Sequence, residues 1–293
     1  MIGPAGVLVA ALLAIPQAHE PTETLRIRPL TVDRVEVLTL KSEINGISYD
    51  LFVSLPHGYA SSDRSYPLVV TLDAEYSFLI ARNITDHLAE RRHLDEVIVV
   101  AIGYSAQKGG RDREYRINRT RDYTPIFVEK GGYGVEIQKV SGGGETFLRV
   151  IESEILPLID DRYRTLDRGR TLVGHSYGGL FALFSVLREV RIFDRVIAVS
   201  PSLWYGNHHL FDIENALAAE TRRMPVQIYL CVGERERNES IDMVSDVKRL
   251  SSDLARHDYE GLSLTSRVLD GETHNSIFPR CLSDGLRELL GGR

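Results

Sequence analysis

From residue 68 onward, short apolar runs alternate with longer stretches of helical period. Residues 68–72 (LVVTL) and 96–102 (EVIVVAI) are almost wholly apolar, the pattern of strands buried on both faces. Residues 78–92 read as the helix between them. Further along, 170–174, 195–199, 226–232 and 262–269 predict strands, and 177–188, 212–222, 240–256 and 277–290 predict helices. Strands spaced by helices of this length build βαβ units and a mostly parallel sheet. Upstream, segments 31–40 and 47–55 flank Asn45-Gly46, the signature of a β-hairpin. The expected architecture is therefore α/β: about eight strands, mostly parallel, with antiparallel strands at one edge. Ligands of such sheets bind beyond the carboxyl ends of the strands.

Two stretches depart from this rhythm. Residues 103–146 are rich in glycine and charge and show no long periodic segment, so about 104–146 reads as one long substrate loop. Residues 145–160 have the helical spacing of Phe147, Leu148, Ile151, Ile155, Leu158 and Ile159, with Pro157 set to end that helix near its C-terminus.

The candidate chemistry falls at strand ends. Gly174-His175-Ser176-Tyr177-Gly178 fits G-x-S-x-G between an apolar strand (171–173) and an apolar helix. That context is a nucleophile elbow, a turn so tight that side chains at 174 and 178 are expected to clash with backbone. Serine is a weak nucleophile and needs a base. In such sheets the chain order is serine, acid, histidine. His274 follows the last predicted strand and precedes the last helix, so it is the expected base. His257 lies inside a predicted helix, and His208 and His209 come before the position of the acid. The acid belongs after strand 226–232, where Gly233-Glu234-Arg235-Glu236 offers two carboxylates. Glu236 is preferred, Glu234 is the alternative, and a Ser–His dyad stays open. A tetrahedral intermediate needs two backbone donors. One is the amide of Tyr177, and the other lies in Asp73-Ala74-Glu75.

Composition narrows the class. The chain has 293 residues, 43% hydrophobic and 26% charged, values of a soluble globular protein rather than a disordered or polytopic membrane one. The net charge of −6 argues against nucleic acid as a partner. Two cysteines, Cys231 and Cys281, form one bridge at most, and two unpaired thiols are the simpler expectation. No metal-site or phosphate-loop motif is present, so no cofactor is expected. The apolar run 7–15 is too short to span a bilayer and fits the core of a signal peptide over residues 1–18. That places the protein in the periplasm or outside the cell, with the cytoplasm as the alternative, and with no stable membrane insertion. Residues 30–293 then form a single domain.

These motifs together resemble the esterase-D/enterochelin-esterase family of α/β-hydrolases. The similar stretches are YPLVVTLDAEYSF (66–78), RTRDYTP (119–125), 142–159, GHSYGGLFAL (174–183), SPSLWY (200–205), 232–236 and GETH (271–274), so the resemblance covers nearly the whole chain. It implies an α/β-hydrolase fold and ester cleavage through an acyl-enzyme on Ser176 with His274. It also implies Glu75 as the second oxyanion donor and Glu236 as the acid of feruloyl-esterase relatives. Siderophore-hydrolysing relatives use Ser and His with little help from an acid. The expected partner is a small-molecule ester, a ferric catecholate siderophore first, with feruloyl or acetyl carbohydrate esters as the alternative. An acyltransferase or a non-catalytic binding module is more remote. Residues 108–122 carry a net +3, which makes Arg119 and Arg121 the expected contacts of an anionic substrate. Of the 35 cations 30 are arginine, so a solvated arginine-rich loop is the competing reading. Trp204, the only tryptophan, is the expected aromatic wall of the pocket.

Overall fold

The computed structural model describes residues 31–105, 111–188 and 192–291. The chain divides into Met1–Asp33 and Arg34–Arg293, and the account below concerns the second unit. The apolar run 7–15 and Lys108 lie outside the described residues.

Eight strands form one sheet: β1 (Val35–Lys41), β2 (Ser48–Ser54), β3 (Leu68–Leu72), β4 (Ile98–Tyr104), β5 (Thr171–His175), β6 (Arg195–Val199), β7 (Gln227–Gly233) and β8 (Ser263–Leu269). Their order is β1-β2-β4-β3-β5-β6-β7-β8. The hairpin β1–β2 is antiparallel and joins the edge of β4 antiparallel. All remaining pairs are parallel.

Alternation along the central strands sends side chains to two cores. Val69, Val99, Val173, Ile197 and Tyr229 pack on one face, against α1 (Ala74–Glu90) and α9 (Phe278–Leu290). Leu68, Val70, Leu172, Val196 and Ile228 pack on the other. The second face receives α2 (Arg111–Tyr123), α3 (Val135–Gln138), α4 (Gly144–Val150), α5 (Leu156–Arg162), α6 (Tyr177–Leu187), α7 (Tyr205–Glu220) and α8 (Met243–His257). Among the described residues no helix is long and apolar enough to cross a membrane.

Three expectations are corrected. The stretch 104–146 is not one loop, because α2 and α3 lie within it. Its helix α2 has no apolar stripe; buried Arg119, Asp122 and Tyr123 hold it to the fold instead. The helix expected over 145–160 does not end at Pro157. A π-turn over Ile151–Ile155 resets the register, and the helical run continues through Pro157 into α5. The third correction is that Cys231 and Cys281 are not free thiols. Both are fully buried and they are bonded to each other, Cα atoms 6.4 Å apart, joining β7 to α9.

The bridge spans 50 residues of sequence, and a cross-link of that length stabilises the fold by about 4 kcal/mol in the chain-entropy account. We expect the Cys231→Ala/Cys281→Ala variant to lose roughly that amount in urea unfolding. We also expect thiol titration of the unfolded, unreduced protein to find no free thiol. A full complement of two thiols would refute the bridge.

Candidate active site

Ser176 stands between β5 and α6 at φ 60°, ψ −118°, a conformation L-residues rarely adopt. Its amide donates to the Val199 carbonyl at 2.9 Å, and its carbonyl accepts from Leu180 at 3.0 Å and Ser202 at 3.1 Å. These bonds over-determine the strained backbone, as expected for an elbow. A Cβ at Gly174 would sit 2.1 Å from the Gly178 carbonyl oxygen, so glycine is required there. At Gly178 the nearest atom would be 3.4 Å away, an ordinary contact. The second close approach belongs to Gly179, 2.9 Å from the Val199 carbonyl oxygen. The Ser176 hydroxyl lies 3.3 Å from that of Ser202.

His274 follows β8, and its Nδ1 lies 2.6 Å from Oε2 of Glu236. Glu236 follows β7 and its side chain is almost wholly buried. Its other oxygen, Oε1, accepts from the Ser200 hydroxyl at 2.5 Å and the Gly233 amide at 2.7 Å. Every oxygen of the carboxylate is thus engaged, and its orientation is fixed. Glu234 points elsewhere, accepting from the Gly271 amide at 2.9 Å on the surface. The imidazole is therefore paired with Glu236 and not with Glu234.

The His274 ring packs 4.5 Å from the ring of His175, the residue before the serine. His175 also meets the Tyr76 hydroxyl at 3.2 Å. Burial, with His274 and Arg119 adding to it, holds the His175 imidazole well below the ordinary histidine value. It is uncharged at neutral pH, so it lends no positive charge against which an imidazolium at His274 would have to form.

Tyr177 is the first residue of α6 and Glu75 the second of α1. Both stand in the opening turn of a helix, where amides and dipole favour a developing negative charge. The Glu75 side chain turns away to accept from the Tyr104 amide at 3.3 Å.

The expected substrate arginines have other duties. Arg119 is buried, and its guanidinium grips both oxygens of Asp73, at 2.7 and 3.1 Å. It also donates to the His175 carbonyl at 3.2 Å and to the Tyr133 hydroxyl. Arg121 forks onto Asp122 at 2.7 and 2.8 Å and reaches Asn118 at 2.8 Å. Their donors serve buried acceptors of this chain, so neither is an exposed contact for an anion. Trp204 is half-buried beside the elbow, its ring 6.0 Å from Tyr177.

Residues 42–289 match the family described as "Putative esterase". The chain belongs to this esterase family. It is similar to the ferri-bacillibactin esterase BesA of Bacillus subtilis, 27% identical over 89% of this chain and 91% of that one. It is also similar to the siderophore enterobactin esterase of Emericella nidulans, 28% identical over 81% and 88%. Among solved structures, an IroE-like serine hydrolase from Shewanella oneidensis superimposes with a TM-score of 0.78 at 26% identity, over 87% of this chain and 80% of that one. The esterase is a carboxylic-ester hydrolase of α/β-hydrolase fold.

Sequence reasoning about this esterase missed Ser200, Ser202, His175 and Asp73. Ser200 and Ser202 lie in SPSLWY, a stretch that carries the family resemblance and the tryptophan but whose serines had no expected role. Ser200 has a positive φ of 43° and is fully buried, which is how its hydroxyl reaches Glu236. Asp73 was visible only as a neighbour of the oxyanion donor, because its partner Arg119 lies 46 residues away in sequence.

Proposed function

We propose that this esterase hydrolyses the ester bonds of catecholate siderophores through an acyl-enzyme on Ser176. The observation that carries the reaction is the 2.6 Å contact between buried Glu236 and His274, beside the elbow that presents Ser176. In this reading His274 takes the hydroxyl proton as Ser176 Oγ attacks the ester carbonyl. Glu236 holds the imidazole tautomer and stabilises the imidazolium. The amides of Tyr177 and Glu75 receive the oxyanion. Collapse expels the alcohol, to which His274 returns the proton, and water then repeats the sequence on the acyl-enzyme.

The names of two relatives, a ferri-bacillibactin esterase and an enterobactin esterase, support the substrate class. A basin of about 640 Å³ lined by Arg113, Arg116, Tyr133 and residues 134–137 supports it too. Arg113 and Arg116 are exposed, unlike Arg119, and the Arg116 guanidinium lies 5.6 Å over the Tyr133 ring. Tyr133 sits edge-on to Tyr177 at 5.5 Å, so the basin opens one ring away from the elbow. Guanidinium forks suit catecholate oxygens, and Trp204 offers an aromatic wall. The buried Cys231–Cys281 bridge supports an oxidising compartment, periplasmic or extracellular, with the run 7–15 as the export signal.

The test compares a ferric tris-catecholate trilactone, methyl ferulate and acetylated xylan under one condition. The trilactone should be preferred by about 10²-fold or more in kcat/KM, since fit alone supplies about that margin and polar recognition adds to it. The Arg113→Ala/Arg116→Ala variant should raise its KM about tenfold, the worth of one charge-assisted contact. Preference for either other ester replaces the siderophore with a carbohydrate ester.

A further inference from the structure

Arg119 occupies the junction of three segments that meet at the reaction centre. Its Nε and Nη2 grip Asp73, which follows β3 and directly precedes the first turn of α1. Its Nη2 also donates to the carbonyl of His175, the residue before the nucleophile. Its Nη1 donates to Tyr133, on the wall of the arginine-lined basin. The rings of Tyr115, Tyr123 and Tyr177 surround the guanidinium at 5.2, 5.6 and 5.9 Å. Asp73 is fully buried with φ 60°, and a Cβ on Gly178 would lie 3.4 Å from its Oδ2, so the carboxylate also rests on the elbow.

The two expected oxyanion donors come from different strands. Glu75 lies two residues after Asp73, and Tyr177 two residues after His175. The separation of those amides therefore depends on what joins the end of β3 to the end of β5. Parallel pairing between these strands is recorded only up to Thr71↔Val173, short of both turns. Beyond that point the gap is spanned by the Asp73–Arg119–His175 link, with the Tyr76 hydroxyl on the His175 ring as a second contact at 3.2 Å. A planar guanidinium is suited to this task, because its donors leave in fixed directions.

We propose that Arg119 is a positioning residue that sets the distance between the Tyr177 and Glu75 amides, and so shapes the oxyanion hole. The proposal rests on the acyl-enzyme reading above. Arg119 touches no substrate in this role and acts through Asp73 and the His175 carbonyl.

The test is Arg119→Lys, which keeps a positive charge beside Asp73 but cannot span both Asp73 oxygens and the His175 carbonyl. The variant should keep the wild-type circular dichroism spectrum. Its kcat for a p-nitrophenyl ester should fall about 10²-fold, the scale of a misplaced oxyanion donor, with KM within about twofold. Affinity for an alkyl trifluoromethyl ketone, which forms a tetrahedral oxyanion on Ser176, should fall by the same factor as kcat. A raised KM at constant kcat would make Arg119 a substrate contact and overturn the proposal. Unchanged kcat and ketone affinity per folded molecule would overturn it as well. If the lysine variant does not fold, Asp73→Asn carries the same measurements, because Asn tolerates the positive φ and gives up part of the fork. Ser176→Ala separates the two ideas. An active Ser176→Ala removes the acyl-enzyme reading itself. An inactive one beside a silent Arg119→Lys removes only the positioning role.

Discussion

Replacing Ser176 with alanine should lower hydrolysis of p-nitrophenyl esters by about 10⁶-fold, the scale of losing a nucleophile whose base and oxyanion donors remain. The fold should survive. Every backbone bond that holds the elbow, from the Ser176 amide to Val199 and from Leu180 and Ser202 to the Ser176 carbonyl, is indifferent to the side chain. Among the described residues the hydroxyl has a hydrogen-bond partner only in Ser202, at 3.3 Å, so its removal orphans little. The strained φ of 60° is no worse for alanine than for serine. Melting should therefore shift by no more than a few degrees, corresponding to about 1 kcal/mol or less. Steady-state rates with an active-site titration decide the matter. Activity above about 1% of wild type in the folded variant would move the nucleophile elsewhere.

The legible parts of this protein are those that hydrophobic periodicity or a short motif encodes. Strands such as LVVTL are buried on both faces, so their sequence is apolar throughout and their place in the sheet follows. The elbow is legible because its glycines answer to local backbone geometry. Helix α2 is the opposite case. Its sequence, RDREYRINRTRDY, has almost no apolar face, and its burial is polar: Arg119 on Asp73, Asp122 under Tyr49 and Tyr104. No period in apolar residues can reveal a helix held that way. The same blindness turned Arg119 and Arg121 into expected substrate contacts, since charge is visible in sequence and its partner is not. Cys231 and Cys281 show the third limit. They are 50 residues apart, and only the packing of α9 on β7 brings them together.

Glu236→Gln should cost about 10⁴-fold in kcat, far more than Glu234→Gln, which removes only a surface contact to the Gly271 amide. The reason lies in what surrounds the carboxylate. Oε1 receives donors from both Ser200 and Gly233, so a glutamine must turn its carbonyl oxygen to that side. Its NH₂ group then occupies the place of Oε2, 2.6 Å from His274 Nδ1. Two donors cannot face each other, so Nδ1 must become the acceptor and the ring proton must move to Nε2. That tautomer cannot take the Ser176 proton. The loss is thus one of tautomer as well as of charge, and raising the pH does not restore the lost rate. Rates of both variants across pH, with folding checked by circular dichroism, test this directly. Equal losses at Glu234 and Glu236 would mean that the carboxylate is dispensable and that the enzyme runs as a Ser–His dyad. A larger loss at Glu234 would transfer the acid role to it, against the geometry that buries Glu236 behind the imidazole.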